Sequence, residues 1–78
     1  MDEASWSRLR WRCRRGMLEN DIILTRYLEA VGPAMPEADV IALDRLLDLA
    51  DNELWDLLSG RTRADDELQH LVQRLRNA

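Results

Sequence analysis

Apolar residues recur at helical spacing along almost the whole chain, and stop signals divide them into five stretches. Trp6, Leu9 and Cys13 fall at i, i+3 and i+7, which predicts a first helix over residues 3–15, started by Asp2 or Ser5 accepting a first-turn amide. Leu24, Leu28 and Val31, with Ile23 and Tyr27 alongside, predict a second over 18–31 that is stopped by Gly32 and Pro33. Glu19 and Asp21 fall in its first turn, where carboxylates meet the positive pole of the helix dipole. A third helix over 37–50 follows Pro36 and is expected to bury Val40, Leu43, Leu47 and Ala50, with Ile41 and Leu46 flanking. Asp51 reads as the cap of a short fourth helix, 52–59, that carries Leu54, Trp55, Leu57 and Leu58 and ends at Gly60. The fifth, 64–77, lines up Leu68, Leu71, Val72 and Leu75 between an acidic first turn and the basic Arg74 and Arg76. No apolar and polar alternation of strand length occurs, so the expected fold class is all-α, a small single-domain five-helix bundle.

Seventy-eight residues form one domain, and a chain of that size buries only about 60% of its unfolded surface, which leaves no room for a large catalytic cleft. The single Cys13 excludes an internal disulfide and points to a reducing, cytoplasmic setting. There is no apolar run of the roughly 20 residues a membrane span requires, and the Arg-rich start lacks the apolar segment of a secretory signal. A monomer without membrane insertion is expected. Charge is unevenly placed: residues 1–15 carry five Arg against two acids, a balance of +3, and residues 16–78 carry six Arg against thirteen acids, a balance of -7. Nucleic-acid modules tend to be basic overall, so a protein partner suits this dipole better. All eleven basic residues are Arg. Guanidinium pairs with carboxylates bidentately, although the base composition of a source genome produces the same bias.

Catalytic chemistry is thin. His70 lies among polar positions of the last helix, and one Cys with one His cannot supply the four N and S ligands of a structural zinc site. The three glycines are isolated from one another and make no phosphate loop. Asp44, Asp48, Asp51 and Asp56 belong to polar helix faces where solvation accounts for them. No catalytic residue, metal site or stably bound cofactor is expected. The informative stretch is residues 11–21, where a basic segment ends at Gly16 and an acidic helix start follows. A glycine there can take positive φ and let the chain turn sharply, bringing Arg14 and Arg15 near Glu19 and Asp21. The four charges are either an internal cluster, with exposed pairs worth about 0–1 kcal/mol each, or a presented binding surface. Trp11 lies off the apolar face of its helix, as local core beside the turn or as an anchor for a partner.

Arg15-Gly16-Met17-Leu18-Glu19, extended by Trp11, Cys13, Arg14 and Asp21, resembles the RGxxE signature of the bacterial succinate dehydrogenase flavinylation factors, the SdhE family. Downstream, Leu46-Leu47-Asp48 leads through Asp51 to Leu54-Trp55-Asp56-Leu57-Leu58, which is similar to that family's fourth-helix region. The resemblance covers nearly the whole chain. It implies a five-helix assembly factor of the bacterial cytoplasm that is not itself an enzyme. Such a factor binds the flavoprotein subunit of succinate dehydrogenase, and often that of fumarate reductase, and promotes covalent attachment of FAD to it. Carried over, Arg15, Gly16 and Glu19 match the signature, with Arg14 and Asp21 as its neighbours. Trp11 joins them as the apolar anchor, since Trp and Arg are the commonest interface hot spots. The alternative of a different class is a small helical nucleic-acid-binding module using Arg8, Arg10, Arg12, Arg14 and Arg15, which would bind duplex with steep salt dependence. A third reading, an enzyme, would rest on Glu19 or His70.

Overall fold

Asp2 starts the first helix: its carboxylate accepts the Ser5 amide at 2.7 Å, and α1 runs Glu3–Arg12 in the computed structural model, which describes all of residues 1–78. Four further helices follow, α2 (Leu18–Val31), α3 (Glu37–Leu47), α4 (Asp51–Leu58) and α5 (Asp66–Asn77), with a single 3-10 turn at Gly32–Ala34 and no strand. The chain is the all-α five-helix bundle that its periodicity predicts. Helix α5 is the central element and packs against α2, α3 and α4, while α2 also packs against α4. Its start is capped by Asp65, whose carboxylate accepts the Leu68 amide at 3.1 Å, and Leu71, Val72 and Leu75 are fully buried. Helix α1 joins the core through Leu9 and Cys13, with Trp6 packed against it in part.

Several boundaries and faces differ from expectation. The third helix stops at Leu47, three residues early, and its buried face is Ala42, Leu43, Leu46 and Leu47. Ile41 is 58% exposed and Ala50 is exposed. The rotation turns Asp39 inward, where it pairs with Arg74 of α5 and accepts the Tyr27 hydroxyl of α2 at 3.3 Å. A buried carboxylate needs such partners, so the polar contact and the apolar stripe together set the rotation of α3. Asp51 is not a side-chain cap: it is the first residue of α4, the N-cap is Ala50, and no side chain caps that helix. Helix α1 ends at Arg12 rather than Arg15, which frees Arg15 to reach another part of the bundle.

Gly16 does not take positive φ; the glycines that do are Gly32 and Gly60. Gly32 follows α2 at φ 64 and ψ -167, a region of backbone space that is essentially restricted to glycine. Gly32→Ala is therefore expected to lower stability by about 1–3 kcal/mol. A Cβ at Gly16 would meet only Asp51 Oδ2 at 3.6 Å, an ordinary contact, so Gly16→Ala should leave the unfolding midpoint nearly unchanged. Urea denaturation of the two variants side by side checks both expectations, and equal losses would contradict them.

Candidate functional site

Residues 13–17 link α1 to α2 without a helix of their own, and this corner is held from beneath by one side chain. Arg15 turns inward, with its side chain only 15% exposed. Its Nη1 donates to the Leu47 carbonyl at 3.0 Å, its Nη2 to the Leu49 carbonyl at 2.6 Å, and its Nε to Asp51 Oδ1 at 2.8 Å. A planar fork with donors on three nitrogens suits this three-way task, which a lysine ammonium cannot reproduce. The guanidinium lies at the C-terminal end of α3 and satisfies carbonyls left open there. Asp51 completes the arrangement at two helix starts, its own and that of α2, where it accepts the Met17 amide at 3.3 Å. Both charges thus lie at the helix poles that favour them.

Asn20 closes the network. It is fully buried, and its Nδ2 donates to the Asp51 carbonyl at 2.9 Å and to Asp51 Oδ1 at 3.2 Å, while its own Oδ1 is buried without a partner. The signal for Asn20 was present in the sequence, because the α2 stripe of Leu24, Leu28 and Val31 extended back one turn falls on a polar residue. Hydrogen bonds from Arg15 and then Asn20 hold the Asp51 carboxyl below the usual carboxylate range. A depressed folded-state pKa adds stability that is present above the unfolded value, about 3.9, and is lost as pH falls through the lower folded value. Asp51→Asn is accordingly expected to be less stable than the parent at neutral pH, with the gap narrowing below about pH 4. Urea midpoints from pH 7 to acid read this directly; a gap independent of pH would contradict the assignment.

The expected ion-pair cluster of Arg14 and Arg15 with Glu19 and Asp21 is not formed as a unit. Arg15 pairs with Asp51, Glu19 is exposed and forms no ion pair, and Arg14 approaches Asp21 only at 3.9 Å. Asp21 also accepts the Thr25 hydroxyl at 3.1 Å. Trp11 is not local core, being 76% exposed. Two apolar residues join the exposed set, Leu18 at 65% and Ile22, at i and i+4 on α2 and hence on one face. Trp6, Arg10, Trp11 and Arg14 of the first segment face Asp21 and Glu29 of α2 across an open groove of about 710 Å³. The corner therefore has a fixed interior, made by Arg15, Asn20 and Asp51, and an exposed exterior of Arg14, Gly16, Leu18 and Glu19.

Elsewhere the polar residues are used internally. Arg12 bridges to Asp44 and, at 3.2 Å, to Asp48, and Asp56 meets Arg61, so ion pairing rather than solvation alone accounts for these acids. Of the five Arg that the nucleic-acid alternative would use, Arg12 and Arg15 are committed to carboxylates of the same chain, so the Arg run is no continuous cationic stripe. His70 is exposed, as its neighbours suggested. Burial pushes the Cys13 thiol up to about 11, which leaves it protonated and unreactive at neutral pH. No helix is long and apolar enough to cross a membrane.

Comparison with known proteins agrees with the signature. Residues 7–78 match the family described as "Flavinator of succinate dehydrogenase". The chain is 47% identical over 73 residues to the FAD assembly factor SdhE of Methylococcus capsulatus, covering 88% of this chain and 84% of the relative. It is 43% identical over 75 residues to that of Ralstonia nicotianae, covering 90% and 79%. It is 38% identical over 77 residues to that of Legionella pneumophila, covering 99% and 98%. These relatives are named as assembly factors and not as enzymes. No solved structure gave a significant match. With a family match over residues 7–78 and relatives of this identity across most of its length, the chain belongs to the family of succinate dehydrogenase flavinators.

Proposed function

We propose that the chain binds the flavoprotein subunit of succinate dehydrogenase and promotes covalent attachment of FAD to it, working as a monomer in the cytoplasm and holding no cofactor stably itself. The flavoprotein subunit of fumarate reductase is a second client of the same kind. The observation that carries this reading is the division of the signature corner: Arg15 is spent beneath it, while Arg14, Gly16, Leu18 and Glu19 stand exposed above a fixed backbone. A surface held rigid before contact loses less freedom on binding. The factor acts on its client by orientation, holding the flavin site in an arrangement competent for bond formation, an effect that can be large without a chemical group from the factor. Glu19 and Arg14 supply charged hydrogen-bond partners at this surface, and Gly16 permits close backbone approach.

The test is flavin fluorescence of the client subunit in a denaturing gel, since only covalent flavin survives denaturation. Glu19→Ala, Arg14→Ala and Gly16→Leu are each expected to keep the parental melting curve and to lower covalent flavin severalfold. Full client fluorescence with all three folded variants would reject the corner as the working surface.

A further inference from the structure

The groove between α1 and α2 continues from the signature corner at Arg14 and has walls of opposite charge. On one wall, Ser7, Arg10 and Trp11 follow at i, i+3 and i+4 on α1, a second face of that helix distinct from the one that Leu9 turns to the core, and Arg14 extends the wall from the loop just beyond the helix end. Arg10 forms neither an ion pair nor a side-chain hydrogen bond, unlike Arg12 and Arg15. Arg14 is only loosely engaged, and the exposed indole of Trp11 lines the same groove. The opposite wall is acidic, with Asp21 and Glu29, and of these only Asp21 has internal partners. Trp6 and Leu28 form an apolar floor. Arg10 and Glu29 are thus two unpaired charges of opposite sign on facing walls, with an aromatic side chain beside them.

Resting on the client-binding reading given above, we infer that this groove seats an amphipathic segment of the flavoprotein client. That segment presents a carboxylate to Arg10 and Arg14, a basic side chain to Glu29, and an apolar side chain to Trp11 and the floor. Charge complementarity selects this occupant. A uniformly acidic segment would meet Asp21 and Glu29, a uniformly basic one would meet Arg10 and Arg14, and like charges brought together across an interface are costly. The groove extends the interface beyond the signature, and its residues set the register of docking.

The split walls make a prediction that overall charge does not. Starting from a net charge of -4, Arg10→Glu gives -6 and Glu29→Arg gives -2, a change of two in opposite directions. If long-range attraction alone governed binding, one substitution would weaken it and the other strengthen it. The split groove requires both to weaken it. Binding of the purified chain to the purified flavoprotein subunit of succinate dehydrogenase, measured by titration calorimetry, should fall about tenfold for each variant. Arg8→Glu, on the side of α1 that faces α3, should stay within about twofold. Opposite effects of Arg10→Glu and Glu29→Arg, or equal losses at Arg8 and Arg10, would overturn the inference. Loss of binding in Glu19→Ala with parental affinity in Arg10→Glu and Glu29→Arg would overturn it too, while leaving the signature corner as the client-binding surface. No binding by the parent chain would remove both.

Discussion

Leu71→Ala is expected to lower stability by about 2–5 kcal/mol, the range for truncation of a buried leucine. Leu71 is 1% exposed in the core cluster, on the helix that contacts α2, α3 and α4, so its truncation would leave a cavity in the packed interior. Small domains are stable by only about 5–15 kcal/mol. At roughly 4–8 °C of melting temperature per kcal/mol for a domain of this size, the variant should melt at least about 8 °C below the parent. Leu18→Ala is the control: Leu18 is largely exposed, and surface substitutions stay within about 0.5 kcal/mol. Thermal unfolding followed by circular dichroism distinguishes the two, and a Leu71→Ala loss under about half a kcal/mol would show that α5 is not the centre of the bundle.

Arg15→Ala is expected to lower stability by about 2 kcal/mol, since it removes three charge-assisted hydrogen bonds whose partners are partly shielded from water. The Leu47 and Leu49 carbonyls lose a donor at the end of α3, and Asp51 loses its counter-charge. Arg15→Lys keeps the charge but not the fork and should recover only part of the loss. Urea denaturation measures both; a change under about half a kcal/mol for Arg15→Ala would mean that the network contributes nothing. The same variant should also lower covalent flavin on the client, but through displacement of residues 13–17 rather than through a lost contact. Glu19→Ala separates the two effects, because Glu19 forms no ion pair within the chain and its loss should leave the melting curve in place.

The helices were legible in the sequence because their causes are local. Periodic apolar residues, Asp2 as one of two candidate caps, the acidic first turn of the last helix, and Gly32 with Pro33 as a stop all act within one or two turns, and the structure puts helices over those stretches. The signature was legible as a pattern, and of its residues Gly16 and Glu19 stand exposed while Arg15 turns inward. The partners of Arg15 were not legible. Asp51 lies 36 positions away, and carboxylates on several helices were equally eligible until the junction of α3 and α4 packed beneath the corner. Gly16 invited the assumption of a positive-φ turn, yet the chain changes direction there without one, because Arg15, Met17 and Asn20 are tied to Asp51. The rotation of α3 was likewise undetermined by its own stripe, since Val40, Ile41, Leu43, Leu46 and Leu47 are apolar on more than one face; Arg74 and Tyr27, brought in by α5 and α2, chose the face that carries Asp39. Residue type and spacing act over one helical turn and determined the elements, whereas hydrogen-bond partners and buried faces depend on which distant surfaces meet, so only the packed bundle decided which charges are spent inside and which remain for a partner.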